Sequence, residues 1–102
     1  MPPAAVFDAL SDPIRCGIVE LLRDEPLPVH RISRAFPVSR PAISRHLRRL
    51  RESGLVSEER VGRENVYRLE TAQLEALVRW LARFWDDRLA KLKERAETTR
   101  EG

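Results

Sequence analysis

The residues of this chain with the most chemistry to offer are arginines, and they are unevenly placed. Residues 26–51 hold seven of them, Arg31, Arg34, Arg40, Arg45, Arg48, Arg49 and Arg51, and no acidic residue. That stretch carries +7 and leaves −4 for the remainder of a chain whose net charge is +3. A guanidinium is a planar fork of donors that can bond a phosphate, or the O6/N7 edge of guanine, with two parallel hydrogen bonds. One sign of charge gathered on one segment is the footprint of a polyanion partner, whereas a merely solvated face mixes signs. Other chemistries lack their parts. One cysteine, Cys16, and two histidines, His30 and His46, hardly supply the ~3–4 nitrogen or sulfur ligands a borderline metal takes. No Gly-rich phosphate loop and no paired nucleophile and base points to catalysis, so no enzyme, cofactor or metal site is expected.

Short helices must hold those arginines. At 102 residues, without repeats or an obvious linker, the chain reads as one domain over 1–102. Val6, Phe7 and Leu10 give helical spacing to residues 3–10. Asp12-Pro13 reads as an N-cap followed by proline at the first helical position, opening a helix over about 13–23. Ile14, Ile18, Leu21 and Leu22 are its expected buried stripe, and Gly17 leaves room for a close neighbour. Pro26 and Pro28 break the pattern before a third helix, 29–36, carrying Val29, Ile32 and Phe36. Ser39 caps a fourth, 40–52, with Ile43, Leu47 and Leu50 on one face and Gly54 at its end. Two strand-like runs, 55–60 and 65–70, flank a glycine-bearing turn. Thr71 can cap a last helix over 71–98, about 40 Å long. Its broad apolar stripe runs through Leu74, Leu77, Val78, Leu81, Phe84, Trp85, Leu89 and Leu92, flanked by Trp80.

Helices 29–36 and 40–52, joined by a tight turn, read as a helix-turn-helix over 29–52, whose second helix enters the DNA major groove. On the wheel set by Ile43, Leu47 and Leu50, the outward side holds Pro41, Arg45, Arg48 and Glu52, with Arg40, Ser44 and Arg49 flanking. His46 sits nearer the apolar edge, where a structural hydrogen bond, a phosphate contact and base readout all stay open. The hairpin at 55–70 reads as a wing with a basic tip of Arg60, Gly62, Arg63 and Asn65, or more plainly as an exposed hairpin charged for solubility. The geometry favours duplex DNA over A-form RNA, whose major groove is too narrow. A protein- or RNA-interaction module on the same scaffold is the alternative.

Phe7-Asp8-Ala9-Leu10-Ser11-Asp12-Pro13-Ile14-Arg15, Pro37-Val38-Ser39-Arg40-Pro41-Ala42-Ile43-Ser44-Arg45-His46-Leu47-Arg48-Arg49-Leu50, Ser53-Gly54-Leu55-Val56 and Val66-Tyr67-Arg68-Leu69 together resemble the ArsR-type family of bacterial winged-helix repressors over nearly the whole chain. The resemblance implies a mainly α winged helix-turn-helix with a small β-hairpin, in the order ααααββα. It implies a homodimeric transcription factor, a repressor on a near-palindromic operator, dimerising through helices 3–10 and 71–98. The corresponding interface residues are Val6, Phe7, Leu10, Leu77, Leu81, Phe84, Trp85 and Leu89. Carried over by position, Ser39, Arg40, Ser44, Arg45 and His46 are its DNA contacts. The charge pattern adds Arg48, Arg49, Arg60, Arg63 and Asn65. Metal-sensing relatives carry a Cys-x-Cys pair on the third helix or a carboxylate–histidine set on the last. Both are missing here, so the resemblance is to the subset without those sites. Cys16 could sense redox state but reads more plainly as a small, semi-buried residue. Trp80, Phe84 and Trp85 could line a ligand pocket but read more plainly as core or interface, so a small-molecule effector stays open. A single cysteine, no long apolar run and no signal-like N-terminus lead to the expectation of a cytoplasmic protein without a membrane span.

Overall fold

Side-chain oxygens mark the starts of two helices. In the computed structural model, which describes residues 3–101 and side chains over 3–96, Asp12 Oδ1 accepts from the backbone N–H groups of Ile14 (2.8 Å) and Arg15 (3.1 Å). Pro13, with no N–H to leave unpaired, opens α2 (Pro13–Leu22), which follows α1 (Ala4–Leu10). Ser39 Oγ accepts from Ala42 N at 3.3 Å and opens α4 (Arg40–Glu52), with Pro41 in its first turn. At the far end of α4, Leu55 N–H bonds Leu50 O and Gly54 N–H bonds Arg51 O, both at 3.0 Å, the paired closure of a Schellman motif. Between α2 and α4 lies α3 (Val29–Arg34). The wing is β2 (Val56–Val61) and β3 (Glu64–Leu69), and the chain ends in α5 (Ala72–Glu101). Met1, Pro2 and Gly102, the ends of the expected 1–102 domain, lie outside the described residues.

Three local expectations shift. First, a two-residue strand, β1 (Leu27–Pro28), precedes α3, so the hairpin becomes a three-stranded antiparallel sheet in the order β1-β3-β2. Two residues carry no readable period, and proline is tolerated there because β1 is an edge strand. Second, α3 ends at Arg34, two residues early, because Phe36 leaves the helix and its ring covers Gly17 of α2. A Cβ on Gly17 would stand 2.6 Å from Phe36 Cε1, so glycine is what lets this turn pack. Third, the wing strands pair closer to their tip, down to Val61 opposite Glu64, leaving a two-residue loop with Gly62 at φ 62°.

The core joins every element around α4. Ile18, Ile32, Ile43, Leu47, Leu50 and Leu55 are at most 1% exposed. From α5, only the N-terminal part reaches this core, through Leu74 and Leu77. Ile14 and Leu21, expected in the α2 stripe, are half-buried, and Arg15 takes the buried place instead, at 9% exposure. The rest of the 30-residue α5 runs past the domain, which stretches the molecule to 68 × 25 × 22 Å.

Candidate nucleic-acid interface

What α4 shows outward depends on how it is held. Its apolar face is sunk in the core, and a polar knot fastens its middle to α1 and α2. The guanidinium of Arg15 donates from Nε to Ala9 O (2.7 Å) and from Nη2 to Asp8 O (3.2 Å), closing the C-terminal carbonyls of α1. Its Nη1 lies 3.2 Å from His46 Nδ1 on α4. Arginine has only donors, so in this contact Nδ1 is the acceptor. Asp12 Oδ1 stands 3.9 Å from the same ring nitrogen. The Arg15 backbone N–H holds the Asp12 carboxyl below the usual aspartate value, with Ile14 N–H and the charge of Arg15 adding to it against a desolvation penalty. His46 is therefore half-buried, with one ring nitrogen committed to the fold.

The same fastening sorts the arginines. Arg49 reaches back to Asp8 of α1 at 2.9 Å, Arg48 pairs with Glu52 one turn on at 3.4 Å, and Arg51 pairs with Glu58 of β2. Arg40, Arg45, Arg60 and Arg63 are exposed and make no ion pair among the described residues. Ser44 is exposed beside Arg45, and Ser39 spends its hydroxyl on the cap. In the wing, Arg60 folds over the turn, donating from Nε to Gly62 O (3.1 Å) and from Nη1 to Asn65 Oδ1 (3.4 Å). Arg40 lines one groove of about 280 Å³ with Arg60 and Arg63, so the start of α4 and the wing present one continuous basic surface. Of the ten residues expected to meet DNA, Arg40, Arg60, Arg63 and Asn65 line that groove, and Ser44 and Arg45 are exposed farther along α4. Arg48 and Arg49 have their charge already matched by Glu52 and Asp8.

The second face is apolar. Phe7 of α1 and Phe84 of α5 both pack edge-on against Trp80, with centroids at 5.1 and 4.9 Å. Beyond them Leu81, Phe84, Trp85 and Leu89, joined by Val78 and Leu92, stand 45–64% exposed along α5. Among the residues expected at an interface, Val6 is a correction: at 1% exposure it belongs to the core of its own chain. Leu10 and Leu77 are half-buried against that core. Patches of this size on a small protein mark a contact surface.

The pattern of the bacterial regulatory proteins of the arsR family matches residues 12–58, from the α2 cap to the wing. The HTH-type transcriptional regulator Rv2034 of Mycobacterium tuberculosis is 43% identical over 83 residues, covering 81% of this chain and 78% of that protein. The chain belongs to the ArsR family. The transcriptional repressor SdpR of Bacillus subtilis is 35% identical over 79 residues, 78% of this ArsR-family chain and 88% of that protein. The solution structure of the homodimeric winged helix-turn-helix DNA-binding domain of Mb0332 from Mycobacterium bovis matches with a TM-score of 0.65 at 32% identity, over 84% of this chain and 80% of that domain. This ArsR-family protein is thus a winged helix-turn-helix regulator and not an enzyme. No helix of the described residues is long and apolar enough to cross a membrane. Nor, among those residues, do three His, Cys, Asp or Glu side chains converge as metal ligands. Cys16 is half-buried and donates its thiol to Leu10 O at 2.9 Å.

Reading the sequence for function misses Arg15 and the pair His30–Glu64 (3.7 Å). A signal for Arg15 was there: Arg15, Ile18 and Leu22 share the i, i+3, i+7 spacing of one helical face. For His30 and Glu64 no local signal exists.

Proposed function

We propose that this ArsR-family protein represses transcription as a homodimer on a near-palindromic site in duplex DNA, with α4 in the major groove and the wing on the adjoining backbone. One observation carries the reading. Arg40 and Arg45 on the outward N-terminal half of α4 and Arg60 and Arg63 at the wing are exposed and, among the described residues, paired with no carboxylate, and the groove that Arg40 lines with Arg60 and Arg63 joins helix to wing. Ser44 and Arg45 stand where base edges come within reach, and Arg63 at the hairpin tip meets phosphates or the minor groove. The exposed stripe of α5, with Phe7 of α1, supports dimerisation through these helices. Two-fold symmetry then sets half-sites about one helical turn, ~34 Å, apart. A small-molecule effector would act at this same interface, through the Phe7–Trp80–Phe84 contact that links α1 to α5.

The test is a binding titration with duplex DNA from upstream of the protein's own gene, a random duplex and duplex RNA of equal length. A dimer that prefers the upstream duplex, protects an inverted repeat and ignores RNA supports the reading. Equal affinity for all three, or none for DNA, returns the fold to a protein- or RNA-interaction role.

A further inference from the structure

The groove shared by α4 and the wing contains one group that opposes its own charge. Arg40, Arg60 and Arg63 line it together with Asn65, His30 and a single carboxylate, Glu64. Glu64 Oε1 lies 3.7 Å from His30 Nδ1, with the two side chains 54% and 40% exposed. The meeting is built into the sheet. β1 pairs with β3 so that Pro28 faces Val66, and α3 begins at the very next residue, which sets His30 in its first turn beside Glu64. The same strand carries Asn65 opposite Arg60 of β2, which keeps the guanidinium of Arg60 tethered at the rim.

We propose that this groove receives one backbone phosphate of duplex DNA, and that Glu64, held beside His30 and ion-paired with none of the three guanidiniums, sets a like charge against that phosphate. The inference rests on the DNA-binding reading above and adds an opposing charge to it. A phosphodiester offers a guanidinium two oxygens sharing a negative charge. The exposed His30–Glu64 pair at 3.7 Å is weak and leaves most of the Glu64 charge facing the groove. The charged groups of the groove are Glu64 from β3, Arg40 from α4, Arg60 from β2 and Arg63 from the turn. The three guanidiniums attract the incoming phosphate and Glu64 repels it, so the carboxylate sets DNA affinity below what the arginines alone would give, without change in sequence preference.

The experiment measures wild type, Glu64→Gln and His30→Gln on the operator and on a random duplex, by fluorescence anisotropy across a salt series. Thermal melts verify that each variant is folded. Glu64→Gln should tighten both duplexes alike, by roughly two- to fivefold per wing and the square of that for two wings of a dimer. His30→Gln, which leaves Glu64 in the groove without its partner, should not tighten binding to either duplex. Single neutral methylphosphonates scanned along the duplex should abolish the Glu64→Gln gain at the one or two positions that face the groove. Inorganic phosphate, compared with chloride at equal ionic strength, should not compete. A folded Glu64→Gln protein that binds no tighter, a gain that survives every methylphosphonate, or inhibition by inorganic phosphate would each overturn the proposal. Wild type failing to bind any duplex DNA would instead sink the reading beneath it.

Discussion

Replacing Arg15 by methionine keeps most of the buried stem and removes the charge and every donor. Three bonds end with it: Nε to Ala9 O at 2.7 Å, Nη2 to Asp8 O at 3.2 Å and Nη1 to His46 Nδ1 at 3.2 Å. A hydrogen bond from a charged group contributes ~1.5–3 kcal/mol, and the two longer ones belong at or below the low end. Against that loss, methionine spares the desolvation of a buried guanidinium, which often cancels much of what such a group contributes. Weighing the short bond in full and the other two lightly leaves a net destabilisation of ~2–3 kcal/mol. In a domain of this size that lowers Tm by roughly 8–20 °C, compared at one protomer concentration because dimers gain stability by mass action. Circular dichroism melts and urea titrations provide the measurement. His46→Ala removes only the third bond and should cost ~1 kcal/mol, and the double variant should show a coupling of similar size. A methionine variant that melts within a few degrees of wild type, or above it, would refute the argument that this knot fastens α4 to α1.

The remaining predictions concern the two surfaces and acid stability. Arg45→Ala should cost ~1–3 kcal/mol on the operator and relax preference at one base pair per half-site. Arg63→Ala should weaken operator and random DNA by equal factors and flatten the log–log salt slope by ~0.9 for each phosphate the protein no longer neutralises; sequence preference that changes with Arg63 and not with Arg45 would reverse these roles. Leu81→Glu or Trp85→Glu, placed on the exposed stripe of α5, should yield folded monomers in sedimentation and abolish operator binding, and a variant that remains dimeric would move the interface elsewhere. Asp12 carries a depressed carboxyl in the folded protein, so its contribution to stability is complete above its unfolded value of 3.8 and is lost as pH falls through the lower folded value. Asp12→Asn should therefore lose less stability than wild type in that acid range, read from melts against pH.

How much of this was readable in advance follows sequence distance. The starts of α2 and α4 were legible because a cap is a contact across two or three residues, Asp12 to Ile14 and Arg15 or Ser39 to Ala42. The outward face of α4 was legible because Ile43, Leu47 and Leu50 define the wheel. The wing was legible from its glycine turn between alternating runs, although its tip closes one residue nearer on each side. The strand β1 was not, because two residues, one of them a proline, have no periodicity and become a strand only by pairing with β3.

By itself, then, the sequence determined the family, the order of its main elements and the segment that carries the basic charge, all of which rest on neighbours along the chain. Tertiary structure decided which arginines remain free for a partner. Arg49 is neutralised by Asp8, 41 positions away, and His46 is claimed by Arg15, 31 positions away. Glu64 meets His30 because β1, paired with β3, leads directly into α3. Val6 turned inward while Phe7 and the far part of α5 stayed exposed, a partition set by how little of a 30-residue helix one small core can cover. Charge matching and burial are properties of what lies across the fold, and residue periodicity carries no record of them.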